Sequence, residues 1–278
     1  MSELDFRAAP PTGLPRLRWA LTDGITLVRR NLVHLWHAPG ALVSTLAVPI
    51  VFIVLFGYVF GSAIAVPGGG NYREFLMPGL FMMLSVSGIM ATSAAIARDA
   101  QQGIMDRFRS MPMARSAVPF GQTGADMLIG ALEMATMVVC GLAVGWRVHN
   151  GVLSAVGGFA VLILFRYAMT WLGAYIGLLV KNEETSDHMV MMIFPISIIS
   201  NTFVPTDGMP AWLRTIADWN PVSAAVAACR RLFGNPGIPS QHAAWPLAHP
   251  VFTTIAWSVT LLAVFVPLAV RRHHQAGR

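Results

Sequence analysis

Three charged side chains fall inside long apolar runs of this chain: Asp126 and Glu133 in one run and Arg166 in the next. A charge at bilayer depth is costly unless it is paired or faces water, so each is a candidate functional residue. Glu133 stands about 13 residues from the Pro119 end of its run and Arg166 about 14 from the Val180 end of its own. At 1.5 Å per residue both reach roughly 20 Å from the same side. The expectation is a buried Glu133–Arg166 pair joining two helices, with substrate recognition as the alternative role. Asp126, nearer the start of its run, is expected to face water.

The other chemistry-bearing residues make weaker patterns. His34 and His37 are three apart and His273 and His274 adjacent, and neither group brings a third ligand at a metal-binding spacing. Cys140 and Cys229 fall in different segments, which argues against a disulfide, and neither has metal-ligand spacing. A P-loop needs G-x-x-x-x-G-K-[ST], glycines to cradle phosphate and a lysine to reach the β/γ-phosphates. The one lysine, Lys181, lies between Val180 and Asn182, so the chain has no Walker motif. No cofactor or metal is expected to be bound by this chain.

The elements that position these residues follow from composition. Of 278 residues, 55% are hydrophobic and only 12% charged, and the mean hydropathy is +0.60; soluble domains are about a quarter charged. Apolar runs near the ~20 residues needed to cross a bilayer mark an integral membrane protein, and their continuity favours helices over alternating barrel strands. The expected fold is all-α with six transmembrane helices: Ala41–Ala63, Met77–Ala97, Pro119–Trp146, Val152–Val180, Met189–Val204 and Val251–Val270. The fifth is short and contains Pro195. Residues 1–40 form an N-terminal segment, 41–270 the six-span domain and 271–278 a tail. Within the first segment Leu21, Ile25, Val28, Leu32, Leu35 and Trp36 follow helical spacing, so an interfacial helix is expected there, or a solvated helix packed on a partner.

No isolated short apolar core followed by a small-residue cleavage site opens the chain, so the first span is expected to be retained. Arginine placement orients the spans. With both termini inside, Arg7, Arg16, Arg18, Arg29, Arg30, Arg98, Arg107, Arg109, Arg115, Lys181, Arg271, Arg272 and Arg278 are cytoplasmic, against Arg73, Arg147, Arg214, Arg230 and Arg231 outside. The positive-inside rule therefore puts the N and C termini in the cytoplasm. The net charge of +6 is read as topogenic and not as a nucleic-acid signal.

"RDAQQGIMDRFRSMPMARS", residues 98 to 116, then joins the second and third spans on the cytoplasmic side. Ile104, Phe108 and Met111 share one helical face, Asp99, Gln102, Asp106, Arg107 and Arg109 occupy others, and Pro112 stops the helix. A short amphipathic helix is expected, offering mixed charges to a partner; the alternative is a loop that only fixes topology. After Val204, Met209–Ala217 is expected to form a short amphipathic helix with Pro210 in its first turn, Asn220-Pro221 to break it, and Val222–Phe233 to form a second. Trp212 and Trp219 suit a headgroup belt. Met189, Met191 and Met192 suit helix packing or an adaptable surface, and Gly141 and Gly145 have the G-x-x-x-G spacing of close helix approach.

Three stretches resemble the ABC-2-type export permeases. Gly103-Ile104-Met105-Asp106-Arg107-Phe108-Arg109-Ser110-Met111-Pro112 is similar to the family's "G-T-L-(E/D)-R-L-R" segment followed by Pro. "YREFLMPGL", Tyr72–Leu80, resembles its "Y-x-x-F-L-x-P-G", and "NTFVPTDGMPAWLRTIADWNPVS", Asn201–Ser223, its "F-V-P-x-x-x-M-P-x-W-L-x-x-x-x-x-x-N-P" signature. The likeness covers nearly the whole chain and is strongest to the daunorubicin-resistance-type drug-efflux permeases of actinobacteria. Relatives often carry further glutamates where this chain has Asp99-Ala100-Gln101-Gln102.

The resemblance implies a permease subunit of an ABC exporter in a bacterial cell membrane, working as a homodimer or with a related permease. ATP and Mg would be bound by a separate ABC ATPase subunit. Asp99, Gln102, Gly103, Ile104, Asp106, Arg107, Phe108, Arg109, Met111 and Pro112 would form the ATPase-coupling helix. Phe203, Pro205, Met209, Pro210, Trp212, Leu213, Asn220 and Pro221 would form an outer gate on a re-entrant helical hairpin, or simply an anchor. The sparse charge of the spans suggests an amphipathic or apolar cargo, a drug, antibiotic or lipid. The alternatives are the same fold exporting an envelope lipid or polysaccharide, and a proton-coupled secondary transporter using Glu133 or Asp126.

Overall fold

The computed structural model describes residues 39–59, 71–103, 117–180, 182–191, 195, 199–203, 206–237 and 244–275. Their regular elements are all helical: α1 Pro39–Val54, continued by a π-helical turn Leu55–Val59; α2 Tyr72–Gln101; α3 Ala117–Val144; α4 Gly151–Leu179; α5 Glu183–Met191; a 3₁₀ turn Thr206–Gly208; α6 Ala211–Trp219; α7 Pro221–Phe233; α8 Trp245–Ala248; and α9 Pro250–Gln275. Among the described residues, four helices are long and apolar enough to cross a membrane, Tyr72–Gln101, Pro119–Val144, Gly151–Leu179 and Pro250–His273, and Leu46–Tyr58 adds a shorter apolar run. Parts of the expected first and fifth spans, and the whole N-terminal interfacial helix over Leu21–Trp36, lie outside the described residues.

Polar caps, rather than hydropathy, set the observed ends. The Asn71 side chain accepts from the Arg73 amide at 3.0 Å and starts α2 five residues before the apolar run begins. Asn182 does the same for α5, accepting from the Glu184 amide at 3.0 Å, so that helix starts at Glu183 and not Met189. α3 stops at Gly145, whose φ is +102°. There the Trp146 amide donates to Gly141 O (2.9 Å) and the Gly145 amide to Leu142 O (3.3 Å), the paired bonds of a Schellman ending. Gly145 therefore ends a helix instead of packing one, and Trp146 lies beyond the helix it was expected to close. No atom lies within 4 Å of a Cβ built on Gly145. Gly145→Ala should accordingly cost about 1–3 kcal/mol through backbone strain alone; an unchanged unfolding temperature in detergent would contradict this.

Helix directions follow from the contacts. α2 and α4 run parallel, since Phe81 meets Phe159 (5.7 Å) while Gly173 and Gly177 lie against Ile89 and Ser93 further along. α3 runs antiparallel to both, with Gln122 against Asp99 at one end and Gly141 against Met77 at the other. α9 descends beside α4, with Phe265 against Tyr175 (5.7 Å). We refer below to the Trp146 end and the Gln101 end of this bundle. α2 is the central helix: Leu76, Leu80, Phe81, Met82 and Ile89 are all buried. α3 and α9, on the outside of the bundle, leave Leu128, Leu132, Val139, Phe252 and Val259 exposed, the outward apolar face expected of membrane helices. At the Trp146 end α6 and α7 meet at Asn220, which caps α7 by accepting from the Val222 amide at 2.8 Å with Pro221 at the first helical position. Pro210 precedes α6 as its N-cap residue.

Candidate functional site

Asp126, Gly130 and Glu133 are spaced i, i+4, i+7 and so share one face of α3. Arg166 of α4 reaches across that face. Its Nη2 donates to both carboxylate oxygens of Asp126 at 3.2 Å, and its Nη1 donates to Glu133 Oε2 at 3.1 Å and to the Leu84 carbonyl of α2. Gly130 makes the approach possible: a Cβ there would overlap the guanidinium. Gly88 of α2 closes the other side, where a Cβ would stand 3.1 Å from Asp126 Oδ2 and 3.0 Å from Thr170 Cγ2. The side chains of Arg166 and Asp126 are 2% and 6% exposed and that of Glu133 is 18% exposed.

Glu133 and Arg166 thus do meet, and Asp126 is drawn in as well. The expectation that Asp126 faces water is corrected: its side chain faces α4, and Arg166 is long enough to take both carboxylates across the Gly130 gap. The triad ties α2, α3 and α4 together where unpaired charge would be most costly. Two carboxylates against one guanidinium leave Glu133 as the more accessible acid. Among the described residues, Arg166 Nε has no hydrogen-bond partner.

At the Gln101 end, Asp99 accepts from Gln122 Nε2 at 2.6 Å and is nearly buried. That bond ties the end of α2 to α3. Gln102 is exposed and Gly103, at φ +67°, turns the chain out of α2. Ile104, Asp106, Arg107, Phe108, Arg109, Met111 and Pro112 lie outside the described residues. α5 docks on the same end of α2 through a Ser93–Ser186 hydroxyl bond and a Gln101 Nε2 to Asn182 Oδ1 bond of 3.3 Å.

At the Trp146 end the described residues read as an outer gate occupy the 199–203 turn, the approach to α6, α6 itself and the α6–α7 corner. Phe203 stacks on Phe56 of the π-helical turn that follows α1 (4.7 Å). Asn220 and Pro221 form the α6–α7 corner, and Asn220 Nδ2 donates to Ile199 O at 2.7 Å. Met209 and Leu213 are half-buried, Pro210 and Trp212 are exposed, and Pro205 lies outside the described residues. Trp212, Ile216 and Trp219 make an exposed apolar stripe along α6.

Sequence reasoning missed three features. Arg230, counted there among outer topogenic charges, is 1% exposed. Its signal was periodic: it stands four residues after Val226 and three before Phe233, on the buried face of α7. Trp146 was treated as the end of a span, yet its Nε1 donates to Asn235 Oδ1 at 2.9 Å and its ring packs edge-on against Phe81 and Phe233. Asn235 Nδ2 in turn donates to Arg147 O at 3.0 Å, pinning the α3–α4 connection to the end of α7. Asn235→Ala leaves the buried indole N–H unpaired and should cost about 1–3 kcal/mol; thermal unfolding matching the native protein would contradict that. Finally, the close helix approach belongs to Gly173 and Gly177 of α4, where a Cβ would run into Ile89 and Ser93 backbone.

Comparison with known proteins adds the following. The family described as "ABC-2 type transporter" matches residues 23–233. The chain is 32% identical over 270 residues, 92% of each chain, to the "Daunorubicin resistance ABC transporter permease protein DrrB1" of Streptomyces coeruleorubidus. It is 23% identical over 243 residues, 84% of this chain and 83% of the other, to the "Doxorubicin resistance ABC transporter permease protein DrrB" of Mycobacterium tuberculosis.

Proposed function

The chain belongs to the ABC-2 type transporter family, and from that premise we propose that it is the membrane-spanning permease subunit of an ATP-driven exporter of amphipathic molecules. The observation that carries this reading is the family match across residues 23–233, laid on a bundle whose long apolar helices enclose a charged triad. ATP and Mg belong in this reading to a separate ABC ATPase subunit, because the one lysine, Lys181, cannot serve a P-loop. The segment after Gln101 is its docking site, on the cytoplasmic side, with both termini on that side. Two copies of the chain, or one copy with a related permease, enclose the path.

The cargo is an amphipathic drug or lipid. Relatives carry daunorubicin and doxorubicin resistance in their names, and the apolar faces of α3, α4 and α9 offer little to bind a sugar or an inorganic ion. Nucleotide binding closes the two ATPase subunits, pushes on the Gln101 end of α2, and favours one of two arrangements of the helices. Cargo moves because it contacts those arrangements unequally.

The test is reconstitution with the ATPase partner in liposomes, with doxorubicin as the first probe and a fluorescent phospholipid as the second. ATP-dependent movement of either probe, unaffected by a protonophore, is expected. Movement that needs no ATPase and collapses with the proton gradient would replace this reading with proton coupling through Glu133 or Asp126.

A further inference from the structure

Arg230 is buried in α7, and every hydrogen bond it makes goes to a backbone carbonyl. Nε and Nη2 donate to Phe75 O in the first turn of α2 at 3.2 and 3.1 Å. Nη1 donates to Asn201 O at 2.9 Å and Nη2 to Thr202 O at 3.1 Å. The guanidinium carbon Cζ lies over the Phe75 ring, 3.8 Å from its centroid. One side chain thus grips two different pieces of backbone, a helix and a turn.

The turn over residues 199–202 belongs mechanically to α7. Asn220 Nδ2 holds Ile199 O (2.7 Å), Ser223 Oγ accepts from the Asn201 amide (3.1 Å), and Arg230 holds the last two carbonyls. Arg230 also holds α2. Glycines keep the joint tight: a Cβ on Gly79 would stand 2.8 Å from both Cγ2 and O of Thr202, and one on Gly237 would strike the Phe75 ring. α2 itself is one continuous helix of 30 residues from this joint to Gln101, where Gln122 and Asn182 hold its far end.

We propose that Arg230 is the joint between α2 and the α6–α7 pair, a positioning residue through which movement at the Gln101 end of α2 reaches the Trp146 end of the bundle. This rests on the permease reading, in which the segment after Gln101 receives the push of the ATPase. Arginine suits the task because its planar fork donates to several carbonyls at once while its face stacks on an aromatic ring; a lysine ammonium is a point donor and cannot hold both pieces in that geometry.

The experiment uses the permease with its ATPase partner in liposomes, in a Cys140→Ser background. Spin labels at Thr215 on α6 and Val152 at the start of α4, both exposed sites, report the distance with and without a non-hydrolysable ATP analogue. The unsubstituted protein should show a nucleotide-dependent shift. Arg230→Met should keep ATPase activity within about twofold, lose the shift, and lower doxorubicin transport at least about tenfold, an ordinary coupling free energy. Arg230→Lys, which retains the charge and one contact, should be intermediate in both shift and transport, and it carries the test if Arg230→Met does not assemble. An unchanged shift and transport rate in the variant that assembles overturns the joint, as does failure of both variants to assemble, which would make Arg230 a folding element only. Absence of a nucleotide-dependent shift in the unsubstituted complex overturns the permease reading, and the joint with it.

Discussion

Arg166→Met is expected to be the most damaging single substitution in the chain, costing about 3–5 kcal/mol, because it leaves Asp126 and Glu133 on one face of α3 without their shared cation in an apolar bundle. Asp126→Asn should cost less and Glu133→Gln least, following the exposure of the two acids. Neutralising all three positions together should recover most of the loss, since it removes the orphaned charge. Exchanging Glu133 and Arg166 should not restore the fold, because a glutamate at 166 would face Asp126. The measurement is the fraction of monodisperse protein surviving a heating series in detergent. An Arg166→Met protein as stable as the parent, or a triple variant no better than Arg166→Met, would remove the triad from the account of stability.

Gly173→Ala carries the second large effect. The added methyl would meet Ile89 O, Cα and C, the latter two at 2.9 and 3.0 Å, so it meets α2 backbone and not a side chain that can swing away. Overpacking of this kind costs about 1–3 kcal/mol, and here it falls on the α2–α4 contact that the triad also bridges. Gly157→Ala on the same helix is the control: its new methyl would find only Leu232 Cδ2, at 3.9 Å. That substitution should be neutral or slightly stabilising, since alanine is favoured over glycine in a helix by about 1 kcal/mol. Equal unfolding temperatures for the two variants would contradict the close packing of α2 and α4.

Long apolar helices were legible because hydropathy is additive along a run. Their ends were not, because Asn71, Asn182 and Gly145 set them by hydrogen bonding and backbone conformation. Gly141/Gly145 and Gly173/Gly177 present the same G-x-x-x-G spacing, and only the fold separates a pair with a helix-ending glycine from one that admits a neighbour's backbone. Glu133 and Arg166 could be matched by depth, since depth follows from counting residues. Asp126 could not be placed, because which face of α3 meets α4 is a tertiary fact, although Asp126, Gly130 and Glu133 on one face were there to be read. Arg230 was hidden by its neighbour: Arg-Arg reads as a surface pair until helical period assigns Arg230 inward and Arg231 outward.

The most direct test of the central claim, that this chain is driven at its Gln101 end by a nucleotide-hydrolysing partner, is to scramble residues Gly103 to Pro112 while leaving α2 and α3 intact. The scrambled protein should still fold, with the thermal stability of the parent, yet no longer retain its ATPase partner on purification and no longer move doxorubicin. Retention of the partner together with ATP-dependent transport by the scrambled protein would contradict that claim.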